Sequence, residues 1–129
     1  MIDTVRAKEG AVTAARRVDW QNVRGALHQA LALRGSRIAV YDLRESVEDA
    51  TGPLPASFLT ALHGVGDQSC LEPLAAAYVA KRADLRWKTQ VAAAFRTIAK
   101  REHITRRHAI LKRIADRWPE AERELTGRT

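Results

Sequence analysis

Apolar residues recur every three or four positions along most of the 129-residue chain, and the breaks between these runs divide it into helices. Asp19 is a good N-cap, with Asn22 at the third helical position, and it opens the first clear run. Trp20, Val23, Leu27, Ala30 and Leu31 line one face of that predicted helix, and Gly35 ends it with Arg34 in the last turn. Ser36 caps the next segment, where Ala39, Leu43, Val47 and Ala50 share a face. Residues 37–41 also read as a strand, since Ile38 and Val40 are β-branched. No second strand of comparable quality exists to pair with it and no glycine-rich phosphate loop follows, so helix is the preferred reading.

The sequence Thr51-Gly52-Pro53-Leu54-Pro55 is a break, and Pro55 opens a third helix with Phe58, Leu59, Leu62 and Val65 as its buried stripe. Gly64 and Gly66 end it. Ser69 starts a fourth helix, with Glu72 completing a Ser-x-x-Glu capping box and Leu71, Leu74, Ala75, Tyr78 and Val79 on one face. Asp84 caps a fifth, carrying Trp87, Val91, Ala94, Phe95 and Ile98 inward. Thr105 caps a sixth, lined by Ile110, Leu111, Ile114 and Trp118, which Pro119 stops. The flanks are weaker. In 1–18, Ile2, Val5, Val12 and Val18 are thinly spaced around Gly10, as in an arm or frayed helix; 119–129 is a polar tail with a partial helix around Ala121 to Leu125.

Six helices with short links give three hairpins, about 19–50, 55–83 and 84–118, whose starts lie 36 and 29 residues apart. Those separations fall in the range of helical solenoid repeats. The expected fold is all-α, an αα-hairpin superhelix over residues 19–118.

The stretch Ala61-Leu62-His63-Gly64-Val65-Gly66-Asp67-Gln68-Ser69-Cys70-Leu71-Glu72-Pro73-Leu74 resembles the signature of HEAT repeats, in the short form also found in phycobilin lyases. Leu62 stands at the first-helix anchor, Gly66-Asp67 at the turn, and Leu71 and Leu74 at the second-helix anchors. Gly66 can take a left-handed turn conformation there, and Asp67 can bond its own backbone. The match is strongest over 61–79. Leu31 to Leu43 is a degenerate version with Gly35-Ser36 at the turn, and Ala94 to Ile114 is weaker, its turn lacking Gly-Asp. The resemblance implies a solenoid of about three HEAT-like pairs, near the minimum for stability. Its open flank needs cover, from residues 1–18 or from further repeats, and the chain reads as the C-terminal part of a longer solenoid or a descendant of one.

Composition narrows the function. One cysteine excludes an internal disulfide framework and a multi-cysteine zinc site. No apolar run approaches the length that spans a bilayer, the first twenty residues lack a signal-peptide core, and the chain reads as cytoplasmic. The net charge of +7 is unevenly placed: residues 1–80 sum to −1 and residues 81–129 to +8. On a helix starting at Thr105, Arg106, Arg113 and Arg117 share one ridge, with Lys100 and Arg96 on the polar side of the helix before it. These five cations are the candidate partner-contact surface.

Other chemistry has a plainer reading. Cys70, at a helix start, could be an activated thiol, but a small buried hydrophobe fits better. His28, His63, His103 and His108 have no metal-ligand spacing, and His63 suits a helix C-terminus as a cation. Asp42, Glu45, Glu48 and Asp49 read as a solvated helix face rather than as acid–base pairs, and Trp20, Trp87 and Trp118 read as core. With no cofactor and no catalytic, cofactor-binding or metal residues expected, the implied function is a non-catalytic scaffold for a protein partner. The alternative is nucleic-acid binding through the basic face of the last two helices.

Overall fold

The computed structural model describes residues 1–11, 14–50, 52–80 and 83–127; residues 12–13 (with Val12), Thr51, 81–82 and 128–129 lie outside them. All regular structure among the described residues is helical: α1 (Ile2–Ala11), α2 (Ala14–Leu33), α3 (Val40–Asp49), α4 (Ala56–Val65), a 3₁₀ turn (Gln68–Cys70), α5 (Leu71–Tyr78), α6 (Leu85–Arg101), α7 (Ala109–Arg117) and α8 (Pro119–Leu125). Residues 37–41 form no strand; a turn there runs into α3.

The helices lie in two rows. In one, α2 packs along α4 and α4 along α6; in the other, α3 packs on α5, and α5 on α7. Helix α5 also rests on α6, α1 packs on α2, and α8 packs on α7, α5 and α6. Within the first row the helices run parallel. Gly25 of α2 faces Ser57 and Phe58 at the start of α4, and Ala32 faces Gly64 near its end. Arg101, at the end of α6, donates to the carbonyls of His63 and Gly66 at the end of α4. Two glycines allow the close approach. A Cβ at Gly25 would stand 2.1 Å from Ser57 Oγ, and one at Gly66 would stand 2.7 Å from Ile98 Cδ1. Gly66 has φ −62, so its role is to admit Ile98 and not to take the left-handed turn expected of it.

The core follows the expected stripes from α3 onward. Leu43, Phe58, Leu62, Leu71, Leu74, Val91, Phe95, Ile98 and Ile114 are almost wholly buried. Pro119 stops α7 and also opens α8, where a missing N–H costs nothing, and α8 buries Ala121 and Leu125. Residues 119–125 thus add a packed helix to what reads in sequence as a mostly polar tail.

Helix starts are partly as expected. Asp84 Oδ1 accepts from Trp87 N at 2.8 Å. The turn before α5 is capped by Asp67, whose Oδ1 accepts from Ser69 N at 3.0 Å; Ser69 makes no capping box with Glu72. His108, not Thr105, caps α7, its Nδ1 accepting from Ile110 N at 3.1 Å. Asp19 caps nothing, because α2 starts five residues earlier: alanine and arginine before it are good helix formers and nothing stops them. Helix α2 ends as glycine dictates. Gly35 has φ 69, and Ser36 N reaches back to Leu31 O at 2.9 Å. Helix α6 ends with the same wrap, Ile104 N to Ala99 O at 2.8 Å, but the left-handed position is held by His103 at φ 56.

Candidate functional site

Helix α2 departs furthest from its sequence pattern. Of its expected inward face, Val23 is 44% exposed and Ala30 is also exposed, while Trp20, Leu27 and Leu31 are half-buried. Among the described residues, those it buries are Arg24, Gly25 and His28. Helix α1 supplies Glu9 and Arg6 from one side and α3 supplies Asp42 and Ser46 from the other.

Arg24 is the hub. Its guanidinium grips Glu9 with a two-point fork, Nε to Oε1 at 2.7 Å and Nη2 to Oε2 at 3.0 Å. Nη1 donates to Asp42 Oδ2 at 3.0 Å and to Ser46 Oγ, and the group lies 5.1 Å from the Phe58 ring centroid. Asp42 collects three donors: Arg24, Arg6 Nη1, and His28 Nε2 at 2.7 Å. Burial works against the Asp42 charge, but the hydrogen bonds from His28, Arg6 and Arg24 outweigh it and hold the carboxyl far below the usual carboxylate range. An ionised carboxylate only accepts, so Nε2 of His28 carries the hydrogen. Arg24 is likewise kept charged, Glu9 and Asp42 overcoming the opposing effect of burial. An open cavity of about 410 Å³ beside the network is bordered by Arg6, Arg17, Gln21 and Asp49.

A His–Asp pair invites an acid–base reading. His28 is 1% exposed, and its carboxylate is saturated by two guanidiniums, so the pair is built to hold three helices together. Nothing in the apolar periodicity announces it. The available signal is polar: Arg24 and His28 stand four apart on one helix, as do Asp42 and Ser46 on another. Asp42 therefore leaves the solvated face expected for it. Glu45 and Asp49 remain more open, at 3.7 and 3.4 Å from Arg6.

The basic end is less uniform than its sequence. Arg96 is occupied at the C-terminus of α8, Nε donating to Leu125 O at 3.0 Å and Nη2 to Glu124 O at 2.9 Å. Arg113 pairs with Glu72 at 2.8 Å, and Arg117 lies 4.5 Å from the Trp118 ring centroid. Arg106 sits in the turn before α7, so the three-arginine ridge expected on one helix is broken. Lys100 and Arg106 are exposed, as are Arg107 and Lys112, and no ion pair forms at any of the four among the described residues. Next to them, Phe95, Ala99, Ile104, Leu111 and Leu125 wall an open cavity of about 220 Å³ with Arg96 and Arg106 at its edge.

Cys70 is buried, and burial pushes its thiol up, as suits a small core residue. His63 does not serve as the cation at its helix end. Burial and Arg101 push its imidazole down, and Arg101 itself bonds the carbonyls there, with Arg37 Nε at 3.3 Å from Val65 O. Trp87 is core, while Trp20 and Trp118 are half-buried. No helix among the described residues is long and apolar enough to cross a membrane. Compared with protein-family models, with curated proteins and with solved structures, the chain matches none.

Proposed function

We propose that this is a HEAT-like helical repeat domain acting as a non-catalytic scaffold, with its partner seated at the basic end. The two rows of helices, α2–α4–α6 and α3–α5–α7, with parallel neighbours in the first row, support the solenoid reading. The observation that carries the functional reading is the cavity of about 220 Å³ with its apolar walls and Arg106 at the edge, amid exposed cations of the α6–α7 turn. Such a site takes an apolar side chain flanked by carboxylates, which is protein chemistry. Meanwhile Asp42, His28 and Cys70, the groups best suited to catalysis, are tied into internal structure.

The test is capture of a partner by the intact chain and by Arg106→Glu with Lys112→Glu. A protein held by the first and lost by the second is the expected result. An equal hold by both, or none by either, defeats the proposal. The four exposed cations also favour a second reading, phosphate contact. An electrophoretic shift with nucleic acid at physiological salt, abolished by the same substitutions, would put nucleic acid in the partner's place.

A further inference from the structure

The longest helix turns an apolar stripe to solvent. At 100° per residue, Val23, Ala26, Leu27, Ala30 and Leu33 fall within an arc of about 120° on α2. Helix α4 packs on a different side, through Gly25 and Ala32, and Glu9 of α1 meets Arg24 on another, so neither covers the stripe. Val23 is 44% exposed and Leu33 84% exposed. Asp19 and Arg34 extend the same arc at its two ends; both are exposed, and neither makes an ion pair among the described residues. The stripe's length from Asp19 to Arg34 is about 22 Å.

Read from either end, the stripe sets a charged residue and then apolar ones at matching distances, with Leu33 answering the half-buried Trp20. Its centre lies between Ala26 and Leu27. Val23 and Ala30 are equidistant from that centre, and so are Asp19 and Arg34. We propose that α2 docks on α2 of a second copy of this chain, antiparallel about a two-fold axis at that centre. In that register Val23 meets the second copy's Ala30, Ala26 meets its Leu27, and Asp19 meets its Arg34 at both ends. The small alanines let the backbones approach, the apolar residues leave water, and the two end pairs fix direction and register. A parallel pairing would set Asp19 on Asp19 and Arg34 on Arg34, which like-charge repulsion disfavours. The contact is isologous, so it closes at two copies and builds no filament. It uses neither the basic end nor the cavity there, so it does not depend on the scaffold reading.

Sedimentation velocity of the full chain between roughly 1 and 100 μM reads the association, since a short seam of this kind binds weakly. The expected result is a monomer–dimer equilibrium. Ala26→Glu sets two carboxylates together at the axis and leaves a monomer whose circular dichroism is unchanged. Asp19→Arg and Arg34→Asp each raise the dissociation constant by roughly tenfold, being felt twice per dimer, and the two together in one chain restore it. The charge-reversal pair decides the matter even if Ala26→Glu perturbs folding. A monomer at every concentration, a dimer indifferent to these changes, or a double variant no better than the singles overturns the proposal.

Discussion

The two ends of this molecule are held together by opposite means. From α3 to α8 the helices meet through leucine, isoleucine, phenylalanine and valine that are almost wholly buried. Where α1 and α2 join α3, the contact is made by Glu9, Arg24, His28, Asp42 and Ser46, and Val5 is the only buried aliphatic side chain described on the two helices. Apolar contacts tolerate approximate geometry, because area is what matters. An ionic network is stable only if every member keeps its partner. The first region should therefore lose stability in proportion to the apolar volume removed, and the second whenever one member loses its partner.

That contrast can be broken in several ways. Phe95→Ala, in the middle of the apolar core, should cost about 4 kcal/mol, measured as a fall in the urea midpoint at unchanged slope. Asp42→Ala leaves buried His28 Nε2 without its acceptor and Arg24 with Glu9 and Ser46 alone, and should cost about 3 kcal/mol. Replacing Glu9, Arg24, His28 and Asp42 together by Leu, Met, Leu and Leu should cost far less than the single change. If the quadruple variant is the worse of the two, the network is contributing more than mutual satisfaction of its members.

Acid should separate the regions too. The Asp42 carboxyl is depressed in the folded protein, so its stabilising effect is complete above the ordinary carboxylate pKa, about 4, and is lost as pH falls further. Amide exchange in α1–α3 should accelerate below that pH before exchange in α4–α6 does; simultaneous loss would mean that the ends do not open separately. The smallest expected effect is a gain. His103→Gly relieves a left-handed residue at the end of α6 and should stabilise by about 1 kcal/mol, whereas Gly35→His at the equivalent end of α2 should cost a similar amount.

The apolar half was legible from sequence because its helices obey one rule: Trp87, Val91, Phe95 and Ile98 fall on one side of α6, and Asp84 starts it. On α2 the same rule fails. Arg24 can be inside only because Glu9 and Asp42 arrive from two other helices, 15 and 18 residues away, and no local pattern encodes that meeting. The apolar residues of α2 do share a face, but Val23 and Ala30 on it are exposed and Trp20, Leu27 and Leu31 only half-buried. At the basic end, composition located the charge but could not show which arginines were engaged by backbone carbonyls of distant helices.

Those arginines have a consequence for any polyanion that approaches this end of the chain. Arg101 and Arg96 of α6 face carbonyl oxygens at the ends of α4 and α8, and Arg113 faces a carboxylate. Counterion release scales with the phosphates a protein neutralises, not with its formal charge. With contacts from Lys100, Arg106, Arg107 and Lys112, the exposed cations around the α6–α7 turn, the logarithm of affinity falls against the logarithm of salt with a slope of about −4. The +8 of residues 81–129 would have suggested twice that.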